Sequence, residues 1–266
     1  MATGHARTWP AAILVANPRL DREECGIVIQ PCLSIVIPVY NEQDAIGPLL
    51  EEVIAAVGDD PSAVEIIIID DGSRDGTAAV LAGWRPRCPA LRVITFAENA
   101  GQSAAMACGF SAARGERVIS LDGDGQSDPG DIPHLAALLD DHDQVCGIRR
   151  QRCDSPAKRA GSWFAGTMRR AVTGDRVVDI GCSLKAFHRE PLQRVLHFDG
   201  SHRFLPILLE LEGCTNLAQT EVNHRPRRGG HSKYTNLGRL WHTWQDLLAV
   251  SWYRRRRLRY RVKDES

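Results

Sequence analysis

The chain has 266 residues, 43% of them hydrophobic, with 33 Lys and Arg balanced by 33 Asp and Glu; that is enough for one α/β domain, or a domain with an appendage, and the charge does not have the look of a nucleic-acid-binding core. The charge is uneven, because 254–263, RRRRLRYRVK, holds seven cations and no acid, which suits an attachment device on an acidic body. Eight Cys lack CxxC pairs or His/Cys clusters, and no signal peptide or long uninterrupted apolar run occurs, so reduced thiols are expected in a cytosolic chain that meets any membrane from its surface.

Residues 1–31 show no sustained period and read as an extension. LSIVIPV (33–39) is a predicted strand, and the helical pattern after it puts Leu49, Leu50, Val53, Ile54 and Val57 on one face. Pro48 fits a helix that starts there or a kinked first turn from Asn41. VEIIIID (64–70) is a second buried strand, followed by DGSRDGT and a helix to about Trp84. LRVITF (91–96) is a third strand, and 101–114 is an Ala-rich helix able to approach the sheet closely.

The fourth strand, 116–121, runs into VISLDGDGQSDP (118–129). Gly123 and Gly125 stop it and leave Asp122, Asp124 and Gln126 at even spacing, which extended backbone turns to one side. Two carboxylates and an amide oxygen suit a hard cation, Mg2+ or Mn2+, placed opposite phosphate. The competing reading is a loop that caps the following helix.

The second half alternates less regularly. A strand is expected at 143–148, a helix at 158–172 with Trp163, Phe164 and Met168, and a short strand after Asp179 and Gly181 within 177–190. A helix at about 202–212 and the strand LAQTEV precede HRPRRGGHSKY. Finally, 236–253 places Leu237, Leu240, Trp241, Trp244, Leu247, Leu248 and Ser251 at helical spacing and runs into the basic stretch.

Strands alternating with helices call for right-handed crossovers and a mainly parallel sheet, with ligands beyond the carboxyl ends of the strands. Asp70, Asp71, Asn99, Asp122 and Asp124 all fall at those ends. GxGxxG after the first strand and a P-loop are both absent, so a nucleotide would be carried by another arrangement.

PVYNE (38–42), IIDDGSRDGT (68–77), LDGDGQSDP (121–129), DIGCSLKAF (179–187) and RRGGHSKY (227–234) together resemble the family 2 glycosyltransferases of the GT-A fold. Within that family the chain is most similar to the polyprenyl-phosphate glycosyltransferases, the group of dolichol-phosphate mannose synthase, over about 33–250. The resemblance implies a Rossmann-like, mainly parallel sheet flanked by helices in one catalytic domain, 32–235, followed by an amphipathic helix and basic tail, 236–266.

It also implies roles. Asp71 would bind the nucleobase, with Pro38, Tyr40 and Glu42 lining the pocket and Asp70 as the alternative; a carboxylate accepts readily from a base imino N–H. Asp122, Asp124 and Gln126 would surround the Mg2+ or Mn2+, with Asp124 the strongest ligand. Asp179 would lie near the acceptor, orienting groups or tuning a cation more than abstracting a proton, because a phosphate monoester is already largely dianionic near neutral pH. A turn carboxylate before Gly181 is the structural alternative, and Cys182 and Ser183 supply no further acid. Arg227, Gly230, Ser232 and Lys233, with Gly229 and Tyr234, match a phosphate clamp, in which glycines permit close approach and Arg227 and Lys233 supply cations. Arg225 and Arg228 are candidates to share that work; His231 is unassigned.

The function so implied is inverting transfer of a hexose from a nucleoside-diphosphate sugar to a polyprenyl monophosphate. The alternatives are a hydroxyl acceptor, or an inactive membrane-associated scaffold, against which the intact carboxylates argue. Trp241, Trp244 and Trp252 with the basic run point to peripheral contact with anionic membrane. The competing expectation is that the Trp stripe packs as ordinary core.

Overall fold

The computed structural model describes residues 31–149, 166–226 and 236–257, the first eight residues of the last segment by backbone alone. Its sheet has seven strands in the order β3-β2-β1-β4-β6-β5-β7. The first four are β1 (Leu33–Val39), β2 (Val64–Asp70), β3 (Leu91–Thr95) and β4 (Arg117–Ser120), followed by β5 (Gln144–Arg149), β6 (Lys185–His188) and β7 (Leu217–Val222). β6 runs antiparallel to both neighbours, β4 and β5, whereas the other pairs are parallel. The expected mainly parallel α/β sheet is therefore present.

Helices cover both faces, which is why β1 and β2 are near-continuous apolar runs rather than alternating ones. Ile35, Ile37, Ile66 and Ile68 face α1 (Ile46–Val57), α2 (Thr77–Trp84) and α4 (Ile132–Leu138). Val36, Ile67 and Ile69 face α3 (Gln102–Ala112), α6 (Arg189–Arg194) and α7 (Ser201–Leu211) on the other side. Between those last groups, 166–173 is helical and is labelled α5. Pro48 lies in the first turn of α1, where its missing N–H leaves no intrahelical bond unmade. Asn41 stands outside that helix, with φ +54°.

α3 lies close on the sheet, as its small residues suggested. A Cβ on Gly109 would come within 2.3 Å of Val36 Cγ1. Nearby, buried Glu65 accepts from the Ser34 hydroxyl (2.6 Å) and the Arg114 amide (2.5 Å) and pairs with Arg92, tying the turn after α3 to β1 and β2.

The C-terminal helix α8 (Asn236–Arg256) divides its apolar residues between two faces. Leu247 and Val250 are buried with Phe204, Leu205 and Leu208 of α7, whereas Trp244, Leu248 and Trp252, spaced by four, are exposed. The expectation that the Trp stripe packs as ordinary core therefore holds for Leu247 but not for Trp244 or Trp252, and Trp241 lies outside the described side chains. Among the described residues no helix is long and apolar enough to cross a membrane.

Gly109→Ala should lower the melting free energy by ~1–3 kcal/mol despite the better helix propensity of Ala, because the added methyl overpacks the α3–sheet contact. Denaturant melts of Gly109→Ala, Val36→Ala and the double variant check it: the two changes together should cost less than their sum.

Candidate active site

In-register pairing brings the ends of β1, β2 and β4 to one edge, with Val39 beside Asp70 and Leu121 N–H donating to Val36. The two loops that leave β1 and β2 are bonded into one rim. Asn41 N–H donates to Ser73 Oγ (2.9 Å), and Arg74 N–H donates to Asn41 Oδ1 (2.7 Å). Glu42 N–H donates to Thr77 Oγ1 (2.9 Å), and Gly76 N–H donates to Gln43 Oε1 (2.6 Å). Asn41 accordingly joins loops and does not cap α1.

Pro38, Tyr40 and Glu42 stand on this rim, half-buried or buried. Asp70 is buried and accepts from Ser73 N–H at 3.0 Å. Asp71 receives three bonds, from Asn99 Nδ2 (2.8 Å), Ala100 N–H (2.7 Å) and Gly101 N–H (3.0 Å). Its carboxylate therefore fixes the entry to α3, at the end of the helix where negative charge is favoured.

Beyond β4 the chain does not stay extended. Residues 123–124 form a turn, and Gly125 takes φ +71°. The even spacing of Asp122, Asp124 and Gln126 thus does not place them by strand alternation. Gly123 is pressed against β1, where a Cβ would sit 2.5 Å from Val39 Cγ1, so close approach to the neighbouring strand shapes the turn.

Asp122 accepts from Gln102 Nε2 at 2.8 Å and from the Ser183 hydroxyl. Burial and then the Asp124 charge push its carboxyl up from 3.8 to about 6, against the lowering effects of Ser183, Lys185 and Arg149. Asp124 accepts from Gln126 N–H at 3.1 Å, and Gln126 Nε2 reaches toward the Arg225 carbonyl at 3.5 Å. Among the described residues no group of three His, Cys, Asp or Glu is placed for a metal. The pair nevertheless fits a hard divalent ion, because the two carboxylates repel each other here and a bound cation would relieve that repulsion.

Asp179 forms a two-point ion pair with Arg149, the last residue of β5. Arg149 Nε reaches Oδ2 and Nη2 reaches Oδ1, each at 2.8 Å, and the Arg149 amide adds a third bond at 3.2 Å. Lys185, buried at the start of β6, donates to the carbonyls of Ile180 (3.3 Å) and Cys182, closing the turn that carries Asp179. Ser183, in the same segment, accepts at its carbonyl from Ser120 Oγ (2.7 Å).

Gln102, Arg149, Ser183 and Lys185 were not singled out as site residues from the sequence. Arg149 carried a usable signal, since it directly follows the strand expected at 143–148, as Asp122 follows the one expected at 116–121. Lys185 lies inside a motif already noted, whereas nothing in the sequence marks Gln102. Arg225 was a candidate phosphate ligand, but its guanidinium is held by Glu52 and Asp128, each at 2.7 Å. Arg227, Gly230, Ser232 and Lys233 lie outside the described residues.

Residues 34–196 match the model of glycosyl transferase family 2. A dodecaprenyl-phosphate galacturonate synthase from Rhizobium johnstonii is 35% identical over 232 residues, covering 85% of this chain and 68% of that protein. An undecaprenyl-phosphate 4-deoxy-4-formamido-L-arabinose transferase from Edwardsiella ictaluri is 37% identical over 205 residues, 76% of this chain and 62% of that one. The chain thus spans about two thirds of the length of these relatives. Among solved structures, glucosyl-3-phosphoglycerate synthase from Mycobacterium tuberculosis, in complex with Mn2+, UDP and glucosyl-3-phosphoglycerate, superposes with a TM-score of 0.64 at 20% identity, over 85% of this chain and 80% of its own. That likeness carries the fold.

The raised Asp122 carboxyl gives a pH dependence of fixed sign. Its folded-state value lies above 3.8, so ionising it opposes folding: stability falls as pH rises from about 4 to about 6, and the full penalty is present above that. Without divalent cation, Asp122→Asn should therefore stabilise the protein at pH 7.5 by ~1–3 kcal/mol, and the gain should vanish below about pH 4. Thermal melts across that range check both the sign and the window.

Proposed function

The chain belongs to glycosyl transferase family 2, and we propose that it moves a hexose, with inversion and with Mg2+ or Mn2+, from a nucleoside-diphosphate sugar to a polyprenyl monophosphate. The carrying observation is the pairing of two unlike carboxylate environments beside one strand end: the repelling Asp122–Asp124 turn, and the charge-matched Asp179–Arg149 pair. The printed names of the two relatives, both polyprenyl-phosphate transferases, support the acceptor class.

In this reading the base sits against Pro38, Tyr40 and Glu42, with Asp71 or Asp70 accepting from it. Asp122 and Asp124, with Gln126, hold the cation on the donor diphosphate. When bound, that ion offsets the charge that develops on the departing diphosphate. Gln102 and Ser183 keep Asp122 aimed while Lys185 and Arg149 moderate its field. Arg149, oriented by Asp179, presents a planar fork to the acceptor phosphate, and the motif of Arg227, Gly230, Ser232 and Lys233 supplies further phosphate ligands by its chemistry. An acceptor oxygen attacks the anomeric carbon opposite the diphosphate as the sugar–diphosphate C–O bond breaks.

A hydroxyl acceptor is the weaker alternative because it needs a base. Both oxygens of Asp179 are already occupied by Arg149, so the pairing favours an acceptor that arrives already ionised.

A panel of nucleoside-diphosphate sugars with polyprenyl phosphate, with and without chelator, tests the reaction. Transfer should need the metal, and Asp124→Asn should cut turnover at least ~100-fold with the melting temperature retained. Full activity in chelator or in that variant rules out the metal assignment.

We place the enzyme peripherally on the cytosolic membrane face, with Trp244, Leu248 and Trp252 of α8 toward the lipid and the basic stretch after them at anionic headgroups. Replacing Trp244 and Trp252 by Ser should leave the fold intact and weaken binding to anionic vesicles by roughly 10-fold or more. Co-sedimentation checks this; undiminished partitioning removes the helix as the contact.

A further inference from the structure

Arg225 lies between β7 and the basic stretch 227–234, and its backbone is sewn onto the residues that follow the two carboxylates. Its N–H donates to the Gln126 carbonyl at 2.7 Å, Ser127 and His224 form an antiparallel bridge, and Asn223 N–H donates to Asp131 at 2.7 Å. Its side chain does something different. Nη1 reaches Glu52 of α1 and Nη2 reaches Asp128, both at 2.7 Å, while the other Asp128 oxygen accepts from Gly130 N–H at 3.0 Å. One guanidinium thus fastens a helix to the far end of the carboxylate turn. The contacts continue to Asp124, whose carboxylate holds Gln126 N–H at 3.1 Å.

Both Nη atoms of this guanidinium are engaged by carboxylates at 2.7 Å, which directs it onto the protein's own acids and away from a substrate phosphate. Only a planar fork reaches both partners at once; a Lys ammonium is a single point. We propose that Arg225 is a positioning residue for the transfer reaction: through Gln126 and Asp128 it fixes the turn that presents Asp124 to the donor diphosphate, without touching phosphate itself. This rests on the reading of Asp122 and Asp124 as the site of a metal-bound diphosphate.

The test uses Mn2+ with inorganic diphosphate as a probe that needs no knowledge of the base or sugar. Free Mn2+ is followed by electron paramagnetic resonance in the full chain. Arg225→Met should weaken Mn2+–diphosphate binding by ~10-fold, Glu52→Gln should weaken it less, and the double variant should be no worse than Arg225→Met, because the two residues act as one unit. Arg225→Lys should recover only part of the loss. In transfer assays the Mn2+ activation midpoint should rise while the acceptor KM stays within about 2-fold. Should Arg225→Met melt, Glu52→Gln at its half-buried position carries the same test.

Unchanged probe binding in Arg225→Met overturns the assignment. So does tighter binding in Glu52→Gln, the result expected if release from Glu52 let Arg225 bind phosphate. Wild-type protein that does not bind the probe overturns the diphosphate reading of the site, and this assignment with it.

Discussion

Two carboxylates held together at the end of a buried strand are an electrostatic liability, and much of the second half of the sheet is arranged around it. Burial and Asp124 push Asp122 up to about 6. What restrains the shift comes from three residues: Ser183 and Lys185 at the entry to β6, and Arg149 at the end of β5. β6 is the strand that reverses direction. Its antiparallel pairing puts Lys185 across from Ser120 of β4 and from Cys146 of β5. A parallel crossover at that position would deliver the end of a strand, and not its start, to the carboxylates.

The first half solves a different problem, which is to hold long loops rigid at a strand edge. The loops after β1 and β2 do so by trading side chain to backbone bonds, Asn41 with Ser73 and Arg74, Glu42 with Thr77, and Gln43 with Gly76. Asp71 does the same for the entry to α3. Polar residues dense enough to suggest a binding surface are here also the scaffold of that surface. Ordering the rim through such bonds lowers the entropy lost when a ligand arrives.

The parallel half of the fold was legible because its physics is local: apolar runs of strand length, breakers after them, and Asp70, Asp71, Asn99, Asp122 and Asp124 at or beyond their ends. Pro48 marked the start of α1 only to within two residues, since a first turn tolerates a missing donor and the helix begins at Ile46. The strand-alternation argument for Asp122, Asp124 and Gln126 failed because Gly125 enters the left-handed region and Gly123 is pressed onto Val39, a tertiary contact that spacing does not encode. The roles of Gln102 and Lys185 were hidden for a similar reason. Each acts on residues set by strand order, and the insertion of β6 between β4 and β5 is not readable from the order of elements along the chain. Arg225 reads from the sequence as a candidate phosphate ligand because it stands beside a glycine-rich basic stretch, while its pairing with Glu52 and Asp128 depends on tertiary contacts that spacing does not encode.

Asp122 and Asp179 show why residue type alone under-determines such a site. Both are largely buried aspartates beside the same strand ends, and both lie near Arg149. Asp179 takes that guanidinium at two points, so its charge is matched within the protein and its oxygens are directed by covalent geometry. Asp122 has a neutral amide and a hydroxyl as direct partners, a like charge next to it, and cations only at longer range. A carboxylate of the first kind has nothing left to compensate and serves to aim its partner. One of the second kind is relieved by any cation that arrives. The division between a cation-presenting side and a cation-accepting side therefore follows from the partners that the fold supplies, and it matches the two kinds of phosphate that the proposed reaction brings together.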